Sequence, residues 1–278
     1  TAYFNGVFLV KDQIRISPDD RGFLFADGVY EVVRWYNGFF YDMAGHMARL
    51  KNSLKELNIG WHSVDMFPSV AEELIRLNNL TNTPSMVYLQ VTRGAARRTH
   101  HFPHPLVEPT VYSYAWGFKP DPALIETGIR VLLREDIRWS RCNIKSIALL
   151  PNTLSFQEAT EKGCGECIFE RNGYITEASH SNIFLVIGDT LFTHPESRYI
   201  LSGITRKNIL RIAAESGVPV REEAVSRNLL NTVSEAFITN TSAEVTPVTE
   251  IEGITIGNGL PGKITRMLAD RFASETTR

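Results

Sequence analysis

Four pairs of short apolar segments, each joined by an Asn-Gly or a Gly-Asp dipeptide, constrain the fold of this chain more than any other feature. Such dipeptides supply the positive backbone angles that tight turns need, so each pair predicts two antiparallel strands. The dipeptides stand at 5–6, 37–38, 172–173 and 188–189. The predicted hairpins cover residues 3–10, 29–41, 167–176 and 183–193. Sheets that are mainly antiparallel are therefore expected.

Helices are predicted between these hairpins by apolar residues at helical spacing and by glycines just past the last turn. The first has Met47, Leu50, Leu54 and Leu57 on one face, with Gly60 beyond its end. The predicted helices cover 44–58, 66–79, 152–162, 204–216 and 261–274, and further strands are predicted at 85–93, 109–116, 129–135 and 236–239. The pattern indicates an α+β fold.

One segment has the composition of a linker. Residues 117–122 (GFKPDP) contain one glycine and two prolines, which interrupt regular structure. The length of 278 residues is sufficient for two domains. We predict a small N-terminal α/β domain over 1–116, an interdomain linker over 117–122 and a larger C-terminal domain over 123–278.

The charge balance argues against one broad class of function. Lys and Arg number 29 and Asp and Glu number 31, which gives a net charge of −2. Broad nucleic-acid binding needs clustered excess positive charge, so it is not expected. No apolar run approaches the roughly 18 residues of a membrane span, and we expect no signal peptide. With only three cysteines, the chain is expected to be cytoplasmic.

Two of the cysteines, Cys164 and Cys167, form a C-x-x-C motif. A redox pair or half of a zinc site would use this spacing. The motif, however, follows the helix-ending Gly163 and precedes an apolar strand, and the sequence has no second C-x-x-C. We therefore favour two incidental cysteines and no metal site.

Two charged residues are candidates for chemistry. Lys145 lies in the segment 144–150 (IKSIALL), which we expect to be buried. Burial lowers the pKa of a lysine and makes its amine a good imine-forming nucleophile. Local sequence alone instead favours a buried stem whose ammonium group reaches water. Glu177 ends a predicted hairpin strand, where an exposed carboxylate is the common alternative.

Two further segments combine small residues with hydroxyl groups. In residues 201–206 (LSGITR), a glycine precedes a helix start, whose unpaired backbone N–H groups can bind an anion. An ordinary helix cap by Ser202 is the alternative. Residues 238–244 (ITNTSAE) end a strand in hydroxyl side chains, which predicts either a phosphate contact or a capped turn.

Taken in order, these segments resemble the fold-type IV pyridoxal-phosphate enzymes, which include D-amino acid aminotransferases, branched-chain aminotransferases and aminodeoxychorismate lyase. The motifs that carry the resemblance are Lys145, residues 177–182 (EASHSN), 201–206, 241–244 (TSAE), 19–31 (DDRGFLFADGVYE) and 46–50 (HMARL). They extend over nearly the whole chain. The resemblance implies an aminotransferase with a two-domain α+β fold and pyridoxal 5′-phosphate at the domain interface.

The resemblance also implies a role for each matching residue. Lys145 would form a Schiff base with the cofactor and move a proton during transamination. Glu177 would pair with the pyridine nitrogen, Arg138 would lie near the 3′-oxygen of the ring, and Leu201 would pack against a ring face. The residues implied to hold the phosphate are Arg49, Ile204, Thr205, Thr241 and Asn240.

Residues 91–103 (VTRGAARRTHHFP) resemble the D-amino acid aminotransferases within this family. In that subfamily an R-x-H pair, here Arg98 and His100, joins Tyr30 to bind the substrate carboxylate, and its loop reaches across from the partner subunit. The resemblance thus implies a homodimer with shared sites and the transamination of D-alanine with 2-oxoglutarate to pyruvate and D-glutamate. Arg97 is an alternative to Arg98.

Other functions stay open at this point. A transaminase for branched-chain L-amino acids or (R)-amines would share the fold, the lyase would release pyruvate without an amino acceptor, and a non-catalytic pyridoxal-phosphate carrier would be inert. A metal site at His100, His101 and His104 is disfavoured because Pro103 and Pro105 prevent a helix through them.

Two residues depart from the usual pattern of the subfamily. His180 stands where a serine is usual beside the cofactor, and its imidazole could either tune the cofactor or point away. Asn240 stands where a serine or threonine is usual near the phosphate. Its amide still offers a donor, so we expect phosphate binding to survive.

Overall fold

The structure, a computed structural model, describes residues 1–277. Two compact units divide the chain, the first comprising Thr1–Lys119 and Ile144–Ala148, the second Pro120–Asn143 and the residues from Leu149 onward. The change of unit between Lys119 and Pro120 falls within residues 117–122. The segment Ile144–Ala148 returns to the first unit, although it lies inside the range 123–278.

The first unit contains a five-stranded antiparallel sheet covered by helices. Its elements are β1 (Ala2–Phe4), β2 (Val7–Leu9), α1 (Arg21–Phe25), β3 (Gly28–Trp35), α2 (Met43–Glu56), α3 (Phe67–Leu77), β4 (Ser85–Thr92) and β5 (Thr110–Gly117). The strand order is β2-β1-β5-β4-β3. Leu50 of α2 and Leu74 of α3 are buried in one core with Val87 and Leu89 of β4. Burial of one such side chain stabilises the unit by about 1.5–3 kcal/mol.

The second unit contains the larger sheet. Its elements are α4 (Leu124–Thr127), β6 (Ile129–Glu135), α5 (Leu150–Glu161), β7 (Glu166–Arg171), β8 (Tyr174–Ala178), β9 (Asn182–Ile187), β10 (Thr190–Thr193), α6 (Ile204–Glu215), β11 (Val220–Glu222), β12 (Glu235–Asn240), β13 (Glu244–Ile251), β14 (Ile254–Thr255) and α7 (Lys263–Thr276). The strand order is β11-β10-β9-β12-β13-β6-β7-β8, and β14 pairs with β13. The pairs β10–β11, β6–β13 and β6–β7 are parallel, and the other pairs are antiparallel.

Most of the predicted elements are confirmed. Three Asn-Gly or Gly-Asp turns join paired strands. Both residues of the two Asn-Gly turns have positive φ angles, for example 54° and 81° at Asn172 and Gly173, and in the Gly-Asp turn Gly188 has one. The five predicted helices correspond to α2, α3, α5, α6 and α7. The α+β class with mainly antiparallel sheets is confirmed. None of the helices within residues 1–277 is both long and apolar enough to cross a bilayer.

Two local predictions are wrong. The hairpin over 29–41 is reduced to a single bridge between Trp35 and Phe40. The second strand cannot extend because the side chain of Asp42 accepts a hydrogen bond from the backbone N–H of Gly45 and starts α2. At the other end of α2, the left-handed residue that reverses the chain is Asn58, with φ 53°, and not Gly60.

Candidate active site

Lys145 lies in a short non-helical segment that is held against β3 of the first unit. Its carbonyl accepts a hydrogen bond from the backbone N–H of Tyr30 at 3.0 Å, and its own N–H donates to Oγ of Ser53 at 3.2 Å. The Nζ atom lies 4.2 Å from the centroid of the Tyr30 ring. Lys145 is half-buried, and the expected burial of 144–150 is wrong at its end, where Leu150 is 69% exposed and begins α5.

Arg49 belongs to the same unit, in a buried cluster with Glu31 and His46. Glu31 accepts hydrogen bonds from Nε and Nη2 of Arg49 at 2.7 and 2.8 Å, and the Nδ1 atom of His46 lies 2.9 Å from the same carboxylate. Burial alone would raise the pKa of Glu31, but Arg49 and His46 together hold it well below its ordinary value. Burial lowers the pKa of His46. Because an ionised carboxylate only accepts hydrogen bonds, the contact assigns the Nδ1–H of His46 as the donor to Glu31.

The sequence analysis assigned no function to Glu31 or His46. Both stand inside motifs that resemble the family, residues 19–31 and 46–50, but neither motif says that the two side chains meet. The signal that could have identified Glu31 is its position, because it is a carboxylate inside the apolar strand β3. A carboxylate without exposed surface needs a charged partner, which Arg49 supplies.

Glu177 lies at the end of β8 in the second unit and is buried, so the alternative of an exposed carboxylate is wrong. Its Oε1 accepts from Nη1 of Arg138 at 2.6 Å. Its Oε2 accepts from Nδ2 of Asn182 at 3.0 Å and from the backbone N–H of Leu201 at 2.9 Å. Burial raises the pKa of Glu177, whereas these three donors stabilise its charged form. The site thus holds a carboxylate of fixed orientation.

Arg138 lies between two buried carboxylates. Besides Glu177, it contacts Asp136, which accepts from its Nε and Nη2 at 2.8 and 2.9 Å. Burial alone would lower the pKa of Arg138 and raise that of Asp136, but the ion pairs reverse both shifts. Within its own unit the guanidinium is therefore a support for Glu177, and its predicted position near a 3′-oxygen stays a prediction.

The segment 201–206 leads into α6, which begins at Ile204, and the alternative of a helix cap by Ser202 is wrong. The N-cap residue is Gly203, without a side-chain cap, and the hydroxyl of Ser202 donates to Glu196 instead. Ile204 and Thr205 thus occupy the first turn of a twelve-residue helix, whose N-terminus attracts anions. A Cβ atom on Gly203 would collide with Oδ1 of Asn182, so a glycine is required here.

The turn after β12 is organised by Asn240. Its Oδ1 accepts from the backbone N–H groups of Ser242 and Ala243 at 2.9 and 2.6 Å, and its Nδ2 donates to Oγ of Ser181 at 2.8 Å. The capped-turn alternative is therefore correct for Asn240. Thr241 is half-buried in this turn.

Tyr30, Arg98 and His100 fall into two separate groups of contacts within the first unit. Tyr30 stacks on Tyr88, with ring centroids 5.8 Å apart, and lies beside Lys145. Arg98 and His100 lie instead on the ring of Phe25, at 5.0 and 5.7 Å from its centroid. The structure thus places Arg98 and His100 on the same aromatic ring, and Arg97 stays an alternative carboxylate ligand.

His180 points at a buried carboxylate that the sequence interpretation missed. Its Nδ1 lies 2.9 Å from Oε2 of Glu166, and its ring meets Phe156 edge-on at 4.9 Å. Glu166 is fully buried in β7, where it also accepts from the hydroxyls of Ser179 and Ser181. The only signal for it in the sequence is a carboxylate at the start of an apolar strand.

Two of the three cysteines, Cys142 and Cys167, have the buried environment of structural residues. Cys167 is buried, and burial raises the pKa of its thiol to about 12, which opposes formation of the thiolate. Among residues 1–277 no group of His, Cys, Asp or Glu side chains is arranged to hold a metal ion.

Comparison with known proteins gives one consistent family. Residues 28–251 match the family described as Amino-transferase class IV. The chain is 37% identical over 271 residues to D-alanine aminotransferase of Staphylococcus haemolyticus, covering 97% of this chain and 95% of that protein. It is 38% identical over 280 residues to D-alanine aminotransferase of Bacillus licheniformis, covering 99% and 98%.

Solved structures of the same fold include two branched-chain aminotransferases. That of Escherichia coli superposes with a TM-score of 0.90 at 28% identity, covering 99% of this chain and 94% of that one. The second, from T.th. and complexed with N-(5′-phosphopyridoxyl)-L-glutamate, superposes with a TM-score of 0.88 at 25% identity, covering 99% and 93%.

Proposed function

Because the chain belongs to the class IV aminotransferase family, we propose that it is a D-amino acid transaminase that converts D-alanine and 2-oxoglutarate to pyruvate and D-glutamate. The observation that carries the proposal is the similarity to D-alanine aminotransferases over nearly the full length of both chains. The aminotransferase family that the sequence motifs resemble is thereby confirmed.

The cofactor of this reaction is pyridoxal 5′-phosphate, and the chain offers a chemically matching group for each of its parts. The amine of Lys145 suits the aldehyde, and the buried carboxylate of Glu177 suits the ring nitrogen. Arg49 and the uncapped N-terminus of α6, at Ile204 and Thr205, suit the phosphate. A further donor is the buried hydroxyl of Thr239, next to the turn that Asn240 organises. This hydroxyl has no hydrogen-bond partner within the described chain.

The proposal retains the other implied ligands, and Arg138, Leu201, Asn240 and Thr241 would complete the cofactor site. It also retains the predicted domains 1–116 and 123–278 with the linker 117–122. For Asn240 the proposed donor is its Nδ2, which already donates to Ser181 and carries a second hydrogen.

Each residue has a defined task when the cofactor is bound. The cofactor supplies an acceptor for the electrons that remain when a proton leaves Cα of the amino acid. Nζ of Lys145 would take that proton and deliver it to C4′ of the cofactor, and the second half-reaction would run the same transfer in the opposite direction. Glu177, held by Arg138 and Asn182, keeps a negative charge beside the ring nitrogen. A fixed carboxylate needs no reorganisation during the reaction.

We further propose that Tyr30, Arg98 and His100 bind the substrate carboxylate. The fork of a guanidinium binds a carboxylate bidentately, which orients the substrate as well as attracting it. Within one chain, Tyr30 contacts Lys145 while Arg98 and His100 contact Phe25. A homodimer in which the R-x-H loop of one subunit serves the site of the other would unite the two groups.

The assignment of Lys145 is tested with the variant Lys145→Ala and the exposed control Lys162→Ala. Borohydride reduction followed by peptide mapping should place a pyridoxyl group on Lys145 of the wild-type protein and of the control. Lys145→Ala should lose that label and at least about three orders of magnitude in turnover, as expected for loss of both the covalent anchor and the proton-transfer group. Wild-type transamination by Lys145→Ala would overturn the assignment.

The substrate class is tested by chiral analysis of racemic alanine and racemic leucine with 2-oxoglutarate as acceptor. We expect consumption of D-alanine and formation of pyruvate and D-glutamate. Consumption of L-leucine would favour the second candidate, a branched-chain aminotransferase. The similarity to the Escherichia coli structure supports this candidate. An (R)-arylethylamine as the preferred donor would indicate an amine transaminase.

A further inference from the structure

The loop that carries Arg98 and His100 is anchored from α1 by a buried arginine. Arg21 is 3% exposed, and its Nη1 donates to the carbonyl of Thr99 at 2.8 Å. Thr99 is the residue between Arg98 and His100, and the same Nη1 also donates to the carbonyl of His101 at 3.5 Å, so Arg21 holds the backbone on both sides of His100. The Nε atom of Arg21 donates to Asp27 at 2.9 Å, which holds the guanidinium in place.

The side chains of the same pair meet on Phe25, the last residue of α1. The guanidinium carbon of Arg98 lies 5.0 Å from the centroid of the Phe25 ring, and that of Arg21 lies 4.7 Å from it. The ring of His100 meets Phe25 at an interplanar angle of 66°. One aromatic ring is thus shared by the anchoring arginine and by both members of the R-x-H pair.

Helix α1, which carries Arg21 and Phe25, is itself fixed to the end of β4. The backbone N–H of Arg21 donates to the carbonyl of Gly94 at 3.0 Å. Asp20, the residue before α1, accepts from the N–H of Gly22 at 2.8 Å and from the hydroxyl of Thr92 at 3.0 Å. These bonds join the start of α1 to the end of the strand that leads into the loop, so α1 and the loop keep one relative position.

We propose that Arg21 and Phe25 are positioning residues that orient Arg98 and His100 and thereby set the preference for amino donors that carry a carboxylate on Cα. The proposal rests on the proposed function, in which Arg98 and His100 bind that carboxylate. Arg98 is exposed and has many rotamers, whereas bidentate binding uses one geometry. A ring that restricts Arg98 before the substrate arrives lowers the cost of binding.

The experiment is a double-mutant cycle on the holoenzyme. Phe25→Leu is measured alone and together with Arg98→Ala, with Phe25→Tyr as the conservative variant that keeps the ring. Phe23→Leu is the matched control, because Phe23 lies on the same helix and is 77% exposed. The readouts are KM and kcat for D-alanine, the cofactor dissociation constant and the midpoint of thermal unfolding.

We expect Phe25→Leu to raise KM for D-alanine about fivefold, the scale of a cation–π contact, with kcat and cofactor affinity nearly unchanged. Phe25→Tyr and Phe23→Leu should behave as wild type. In the Arg98→Ala background, Phe25→Leu should raise KM for D-alanine little further, because Phe25 acts through Arg98. If Phe25→Leu does not fold, Arg21→Lys replaces it in the cycle, since it loses the forked contact with Thr99 and Asp27.

Three results would overturn the inference, and they separate it from the proposed function. An unchanged KM in Phe25→Leu, with a raised KM in Arg98→Ala, removes the positioning role and leaves the carboxylate site intact. Equal effects of Phe25→Leu in both backgrounds indicate a general structural role. An unchanged KM in Arg98→Ala, or no transamination of D-alanine by wild type, removes the proposed function together with this inference.

Discussion

The carboxylate of Glu31 binds both Nε and Nη2 of Arg49 inside the first unit, where Glu31 has no exposed surface. His46 donates to the same carboxylate from the first turn of α2. The contacts within this cluster fix the direction of the guanidinium. An arginine with a fixed direction loses less conformational freedom when it binds a phosphate, the ligand proposed for Arg49.

Removal of the charge of Glu31 should therefore weaken cofactor binding as well as stability. Glu31→Gln leaves Arg49 without its buried partner, and we expect a loss of about 3–5 kcal/mol in the free energy of unfolding. The cofactor dissociation constant, measured by titration of the apoprotein, should rise about tenfold, the scale of one charge-assisted hydrogen bond. Glu73→Gln, which removes the partner of the exposed Arg76, is the control. Unchanged cofactor affinity in Glu31→Gln would contradict the prediction.

The buried carboxylates also predict how stability depends on pH. The pKa values of Glu31, Asp136 and Glu166 are lowered in the folded chain, because their basic partners outweigh the opposing effect of burial. Each contributes stability above its unfolded pKa, near about 4, and that stability is lost as the pH falls through the folded pKa. Glu177, whose pKa is raised in the folded chain, has the opposite effect, because its contribution to stability decreases as the pH rises. The free energy of unfolding should decrease from about pH 6 to about pH 3 in urea titrations.

Glu166→Gln isolates one part of this pH dependence. The variant removes the carboxylate that His180 contacts, so its unfolding free energy should fall less steeply over the same acidic range. Glu161→Gln on α5 is the exposed control and should keep the wild-type slope. A slope that is identical in Glu166→Gln and wild type would show that Glu166 does not titrate differently in the folded and unfolded states.

Local signals predicted the elements whose conformation is decided by neighbours in sequence. The turn at Asn172-Gly173 needs two positive φ angles, and those residue types supply them. The hairpin at 37–38 failed because Asp42 starts a helix that competes with the second strand. Strand β13 was missed because its sequence, EVTPVTEI, becomes a strand through pairing with β12 and β6, which lie elsewhere in the chain.

Candidate site residues could be named where a residue type is chemically unusual, and not where charges meet across the fold. Lys145 became a candidate from its apolar neighbours together with the ordered motifs, whereas its local sequence alone favoured a solvent-reaching ammonium group. The segment Ile144–Ala148 belongs to the first unit, where its backbone forms hydrogen bonds with Tyr30 and Gly28. No local sequence pattern predicts these bonds. Pairings such as Glu166 with His180 depend in the same way on three-dimensional contacts.

Alkylation of the folded protein should distinguish the three cysteines. Burial raises the pKa of Cys142 to about 11 and that of Cys167 to about 12, so neither forms a reactive thiolate at about pH 8. Iodoacetamide should label Cys164 first, and the other two only after unfolding, as read by mass mapping of peptides. A disulfide between Cys164 and Cys167 in the native protein would contradict the prediction and restore a redox role for the motif.

Gly203→Ala should disturb the candidate cofactor site through a single methyl group. The new Cβ would collide with Oδ1 of Asn182, whose Nδ2 holds Glu177 and the carbonyl of Leu201. Because the backbone at Gly203 is extended, with φ −70°, the effect is steric and not conformational. We expect a loss of about 1–3 kcal/mol in stability and weaker cofactor binding. Gly60→Ala, where a Cβ would meet nothing within 4 Å, should change neither quantity. Wild-type cofactor affinity in Gly203→Ala would show that Asn182 does not hold Glu177 for cofactor binding.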